Sequence, residues 1–373
     1  MRPAGEAERE RLNDLFAALC RIPSPSGSEA EVVAYVRREL GGMGLDAEED
    51  EKGNLLVRAT PPRDGRTVLL CAHLDTVDVT GPLEPVVVDE GWENAHEAIL
   101  GADNKAAVAV MLEVARRAVA ESAPAGLELL FTVEEEDGLR GALAFDAGRL
   151  SAEFGYVFDH ASPIGEVVVA SPTYYRVAAD FHGRAAHAGL RPEDGRSAIL
   201  AAAHALVAMP HGRIDAETTA NVGSVHGGVG STNVVAERCR VLAEARSIDA
   251  DRVEAVVAQI IDAMHDGAAA AECDVDVVCD KLFDGYRQKP AHPAVAAAEA
   301  ALRGCGYEPR RIVTGGGSDA NALVAHGLPC VNLANGTERN HEPTERVSVD
   351  ALEGMLDVAL ALVDEAAAIM TAA

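Results

Sequence analysis

No apolar run in the sequence approaches the roughly 20 residues that a membrane-spanning helix needs. From Met1 to Leu15 charges alternate and no apolar stretch of a secretory leader occurs, so no signal peptide is expected. Basic side chains are scarce: 32 Lys and Arg stand against 60 Asp and Glu, a formal charge of -28. Such a surface repels phosphate backbones and anionic lipid, which argues against nucleic acid and membranes as partners. The seven cysteines are odd in number and form no C-x-x-C pair, and Cys71 lies inside an apolar segment. Free thiols in a reducing compartment follow, and a cytoplasmic protein is expected. Internal repeats and low-complexity linkers are missing as well.

What is present describes a globular protein, 48% hydrophobic and 25% charged. Its 373 residues exceed one ordinary core, so two domains are expected. Val68-Leu69-Leu70-Cys71-Ala72 reads as a strand buried on both faces, and it ends in His73 and Asp75. Two residues apart on an extended chain, the imidazole and the carboxylate point the same way. An imidazole there can ligate a metal while the carboxylate fixes its tautomer. Before it, Ser28 to Glu31 reads as a capping box opening a helix. After it comes an acidic loop, and then Asp103 at the start of an Ala/Val-rich helix, where a plain N-cap is the alternative role.

Leu127 to Val133 reads as the next buried strand and ends in Glu134-Glu135-Glu136-Asp137-Gly138. Acids this crowded raise one another's pKa unless a cation offsets them, the alternative being a solvated surface run. Tyr156 to Phe158 is a further short strand with Asp159 at its end, and His341 follows another near Pro329 to Leu333. Strands alternating with helices imply a mostly parallel sheet, whose sites lie at strand carboxyl ends. His73, Asp103, Glu135, Glu136 and Asp159 share that address. Mixed N and O ligands suit zinc, with manganese and cobalt as alternatives, and two adjacent cations suit amide hydrolysis.

Between Pro172 and about 285 the pattern changes to β-α-β-β-α-β, the order of a ferredoxin-like unit. The expected division is a catalytic domain over 1–171 and 286–373, with an inserted lid or dimerisation domain over 172–285. The insert carries His187, Asn233 and Arg246; the turn Gly315 to Asp319, before a helix, offers N–H groups suited to an anion.

Taken in order, His73-x-Asp75, Gly101-Ala102-Asp103-Asn104-Lys105, Glu135-Glu136-x-Gly138, Asp159, Ala186-His187-Ala188-Gly189, Ala245-Arg246-Ser247, Gly316-Gly317-Ser318-Asp319 and Asn340-His341 resemble the M20 family of metallopeptidases and deacylases. The peptidase T-like branch is the nearest match. That resemblance implies two divalent metal ions, zinc foremost: one on His73, Asp159 and a bridging Asp103, the other on Glu136, His341 and the same Asp103. It implies a water between the metals as nucleophile, Glu135 as general base and Asp75 as the group orienting His73. His187 would help hold the oxyanion, reaching the site of a neighbouring subunit in a homodimer formed through the insert. Arg246, with Asn233, Gly316 and Gly317, would bind the substrate. The activity implied is that of a tripeptidase-like aminopeptidase on short peptides; an N-acyl amino acid deacylase or desuccinylase, and a non-catalytic metal- or peptide-binding relative, are the alternatives.

Overall fold

The computed structural model describes residues 2–63 and 66–372. The chain divides into two compact units. One gathers the residues up to Ala170, Arg287–Val313 and those from Ser318 onward; the other comprises Ser171–Tyr286 with Thr314–Gly317.

The first unit is built on a mixed sheet whose order runs Ala47–Glu49, Leu55–Thr60, Gly126–Thr132, Thr67–His73, Phe154–His160, Cys330–Ala334, Glu166–Ser171, with Arg310–Val313 alongside the last. Its four central strands, from Gly126–Thr132 to Cys330–Ala334, pair in parallel, and antiparallel pairs flank them. The apolar composition explains why these strands lie in the middle: all of Thr67–His73 and Gly126–Thr132 is buried. A strand without an exposed face must be covered on both sides by other elements. The helix Ala102–Glu121 is one of those covers, and every residue from Ala102 to Ala115 is buried. Alanine and valine let it fit where a larger side chain would force the layers apart.

Two local expectations fail. The helix Ala30–Gly42 opens without a capping box, because Glu29 turns its carboxylate instead to the amides of Gly27 (2.8 Å) and Glu134 (3.1 Å). The acidic stretch after Asp75 is not loop throughout: Pro85–Val88 and Gly91–Asn94 form a hairpin that continues antiparallel into Arg346–Ser348 and Thr337–Glu338. Those strands are short and half exposed, so no period-2 apolar pattern marks them.

The second unit contains the β-α-β-β-α-β order as Thr173–His182, Ala198–Ala208, Thr218–Gly227, Arg238–Ser247, Ala250–Ala270 and Asp274–Phe283. In space its sheet runs Thr218–Gly227, Arg238–Ser247, Thr173–His182, Asp274–Phe283, antiparallel throughout. Alternation sorts the side chains. Val177, Ala179, Phe181, Val241, Ala243 and Ala245 are buried in one core with the two helices, while Tyr174, Glu244 and Arg246 belong to the other face by register.

The two helices approach closely at Gly267, where a Cβ would stand 2.6 Å from the carbonyl oxygen of Ala201 and from the amide nitrogen of Ala205. Neither backbone atom can yield without moving its helix. Gly267→Ala is therefore expected to lower unfolding free energy by about 1–3 kcal/mol, despite the roughly 1 kcal/mol that alanine gains in helix propensity. Gly41→Ala, where a Cβ meets nothing within 4 Å, is expected to be neutral or stabilising. Urea unfolding of both variants checks this, and a Gly267→Ala protein as stable as the parent would refute the close approach.

Candidate metal centre

His73 ends a central strand and is 1% exposed. Its Nε2 lies 3.2 Å from Oδ1 of Asp103 and 3.5 Å from Oδ1 of Asp159. Its Nδ1 faces the backbone carbonyl of Asp75 at 3.0 Å and the Asp75 carboxylate at 3.4 Å. Asp75 is fully buried and does more than face the ring. Its carboxylate accepts hydrogen bonds from the Ser26 hydroxyl (2.7 Å) and from the amides of Glu135 and Glu136 (3.0 Å each). One side chain thereby ties the strand end of His73 to the acidic turn.

That turn separates three consecutive glutamates. Glu134, at φ 50°, is directed to Lys52 (2.5 Å) and Arg140 (3.6 Å), so it is charge-paired away from the cluster. Glu135 and Glu136 face inward. The ligand atoms of His73, Glu135 and Asp159 lie within 4.8 Å of one another, as do those of His73, Asp103 and Glu136. His341, also left-handed at φ 67°, completes the group, with Nε2 at 2.8 Å from Glu136 and 3.4 Å from Oδ2 of Asp103. The two oxygens of Asp103 thus address the two imidazoles separately, and Asn340 donates to Oδ2 at 2.8 Å.

The electrostatics follow from crowding. Burial, then the charge of neighbouring Asp159, pushes Glu135 well above the usual carboxylate range. Burial and Asp103 do the same to Asp159. Burial would raise Asp103 too, but hydrogen bonds from His341 and His73 hold it below its ordinary value. Asp103 and Glu136 push His341 up to about 10, against the opposing effect of burial. Burial lowers His73, yet bonding to Asp103 and Asp159 outweighs it and the net shift is upward. Imidazole nitrogens and carboxylate oxygens that converge in this way suit divalent cations, which replace the protons such groups otherwise retain.

Two buried acids at the site carry no role in the sequence reading. Glu345, 2% exposed, accepts the amides of Gly101 (2.7 Å) and Asp103 (2.9 Å), and so holds the segment that presents Asp103. Nothing local signals this, since the partners are more than 240 residues away in sequence. Asp319, fully buried and pushed up to about 6 by that burial, accepts the Thr132 hydroxyl at 2.5 Å, while its Oδ1 has no hydrogen-bond partner among the described residues.

In the second unit His187 and Asn233 lie in adjoining exposed loops, joined by the Ala188 amide donating to the Asn233 carbonyl at 2.9 Å. The Arg246 guanidinium stacks 4.0 Å from the Tyr174 ring centroid. The Gly316 amide is taken up by the Thr314 hydroxyl at 3.1 Å, and Gly317 lies against the Phe283 ring where any Cβ would collide.

Comparison with known proteins gives two family matches, the peptidase dimerisation domain of the M20 type over residues 173–272 and peptidase family M28 over 54–160. The chain is 35% identical to the uncharacterised protein YqjE of Bacillus subtilis, over 96% of this chain and 99% of that one. Among solved structures, aminopeptidase PepT of Bacillus cereus superposes with a TM-score of 0.86 at 36% identity. A tripeptidase of Staphylococcus aureus gives 0.91 at 32%. In both cases 96% of this chain and 99% of the other are covered.

Titration of chelator-treated protein with Zn2+ or Mn2+ is expected to raise the melting temperature and to saturate at two equivalents. Because His341 is raised, it holds a proton at pH 7 that a metal must displace. Binding therefore releases protons, and affinity rises as pH rises. Calorimetry in buffers of different ionisation enthalpy counts them. In Glu345→Gln an amide NH2 replaces one acceptor oxygen, and loss of about tenfold or more in affinity is expected. A single equivalent without proton release, or full affinity in Glu345→Gln, would contradict these assignments.

Proposed function

Because the chain belongs to the M20 family of metallopeptidases, in its peptidase T-like branch, we propose that it is a di-metal aminopeptidase that removes the N-terminal residue from tripeptides. The observation carrying this reading is the convergence of His73, Asp103, Glu135, Glu136, Asp159 and His341 around the carboxyl end of the strand Thr67–His73. In our reading His73 and Asp159 hold one cation, Glu136 and His341 the other, and Asp103 serves both. Zinc fits the mixed N and O donors, as do manganese and cobalt. Bound there, divalent metals supply Lewis acidity, polarising the scissile carbonyl and acidifying water.

The protein's own groups do the rest. Glu135 takes a proton from the attacking water and passes it to the departing amine nitrogen; a carboxylate whose pKa is raised by burial suits both halves of that transfer. Asp75 keeps His73 in the tautomer whose Nε2 faces the cluster and holds the Glu135 amide in place. Arg246 receives the substrate carboxylate, with Asn233, Gly316 and Gly317 nearby in the same reading. The acids near the cluster receive the free α-amino group.

Glu135→Ala is expected to lose roughly 10²-fold or more in kcat while still binding two metals. Tripeptides should turn over faster than dipeptides or N-acyl amino acids, and C-terminal amidation should lower kcat/KM. Faster turnover of N-acetyl or N-succinyl amino acids would replace this reading with a deacylase, and binding without any turnover would replace it with a non-catalytic relative.

The family's dimerisation domain supports a homodimer through the inserted unit, and so do the exposed apolar side chains Ile199, Leu200 and Val207 on the helix Ala198–Ala208. In that dimer His187 steadies the oxyanion in the neighbouring subunit's site. Mixing inactive Glu135→Ala with inactive His187→Ala should then restore part of the activity. Subunit exchange without recovery would rule the arrangement out. Seven free cysteines suit a reducing, cytoplasmic setting. No helix among the described residues is long and apolar enough to cross a membrane.

A further inference from the structure

The face of the second unit's sheet opposite its two helices carries a feature that the assignment of Arg246 leaves unexplained. Arg246 is not alone there. Its Nε donates to Oε1 of Glu244 at 3.2 Å and its Nη2 to Oε2 at 3.1 Å, a side-on two-pronged pair between residues two apart on one strand. Its Nη1 donates to the Gly315 carbonyl at 3.3 Å. A guanidinium has five N–H groups. Three are engaged with Glu244 and Gly315, which leaves one on Nη1 and one on Nη2. The Tyr174 ring lies under the plane, directly across the strands from Arg246 by register, and the Tyr174 ring in turn meets Phe283 edge-on at 5.4 Å. The guanidinium is therefore pinned on three sides and cannot swing to meet a ligand.

We infer that Glu244 is a specificity-determining residue: it fixes Arg246 so that only the two remaining N–H groups meet a peptide carboxylate, and its own charge sets which terminal side chains are accepted beside it. The inference rests on the proposed reading of Arg246 as the receptor for that carboxylate. A peptide carboxylate bound by those two groups shares one guanidinium with Glu244. Two carboxylates on one cation are tolerable, but a third on an Asp or Glu side chain of the same terminal residue has no partner. A Lys or Arg side chain there meets a carboxylate instead. Arg176 stands opposite Glu244 by register, yet its guanidinium lies 3.5 Å from Asp280, so it brings no unopposed positive charge to the pair. At 29% side-chain exposure Glu244 is partly screened by water, which puts the expected discrimination at about tenfold. Substrates of the preferred class are thus short peptides with a free carboxyl terminus and a neutral or cationic last side chain.

The test uses the metal-loaded full chain and the peptides Ala-Ala-Lys, Ala-Ala-Ala and Ala-Ala-Asp, with and without C-terminal amidation. In the parent, kcat/KM for Ala-Ala-Lys should exceed that for Ala-Ala-Asp by about tenfold. Glu244→Gln keeps the shape and an acceptor for Nε but removes the charge. It should bring the ratio near unity, mainly through faster cleavage of Ala-Ala-Asp. Asp276→Asn, which removes a charge from the far end of the neighbouring strand Asp274–Phe283, where its partner is His182, should leave the ratio as it was. Thermal melts accompany each variant, with Glu244→Ala as the second substitution should Glu244→Gln melt early. An unmoved ratio in both Glu244 variants, with amidation still slowing the parent, overturns the role of Glu244 and leaves Arg246 standing. If amidation costs the parent nothing, the reading of Arg246 falls and takes this inference with it.

Discussion

Like charge in a confined, water-poor space is the constraint on which the first unit depends. Asp103, Glu135, Glu136 and Asp159 bring carboxylates within a few ångströms of one another around His73, and burial strips most of the water that would otherwise screen them. No local sequence preference would assemble such a group. It exists because the parallel strands Thr67–His73, Gly126–Thr132 and Phe154–His160 carry His73, Glu135, Glu136 and Asp159 at or just past their carboxyl ends, while Asp103 arrives at the start of the helix Ala102–Glu121. The apolar packing of those strands and of the helix Ala102–Glu121 offsets the electrostatic cost, and a protein of this kind then recovers part of it by binding cations.

Holding the acids is a separate problem from gathering them, and it is solved by carboxylates that accept from backbone rather than from one another. Asp75 takes the amides of Glu135 and Glu136, and Glu345 takes those of Gly101 and Asp103. Each of these acids fixes the main chain of inward-facing groups without adding a loose charge to the centre. The left-handed backbone at Glu134 and His341 fits the same logic. Both positions depart from ordinary φ next to inward-facing side chains, where surrounding structure over-determines the conformation. Glu134 shows the result: one residue before Glu135, it leaves the cluster and pairs with Lys52 and Arg140.

Much of this was legible because the strand-end residues follow short apolar runs, and a run of Val68 to Ala72 type leaves little choice about burial. The inserted unit was legible for a different reason, since its strands are half buried and alternate cleanly, as Arg238–Ser247 does residue by residue. What stayed hidden depends on distance in sequence or on short length. Glu345 reads as any acid in a Glu-Pro-Thr-Glu loop until its partners arrive from the other end of the chain. Pro85–Val88 contains three valines but too few residues to show a period, and Ser28 to Glu31 has the letters of a capping box while Glu29 serves a tertiary contact instead. In the last case a long-range bond outweighed a local signal worth about 1 kcal/mol.

Charge acts in this protein at two ranges, and they differ in kind. The formal charge of -28 creates a field that any peptide meets on approach, but between exposed groups it fades over about 8 Å at physiological salt. That field biases encounter toward cationic ligands without distinguishing one end of a peptide from the other. Glu244 lies in direct contact with Arg246, closer than that length. Its influence belongs to a single position on a bound ligand and survives salt that erases the general field. A preference produced by the surface would therefore decline as ionic strength rises and spread over all charged residues of a peptide, whereas a preference produced by the Glu244–Arg246 pair persists and follows the last residue alone.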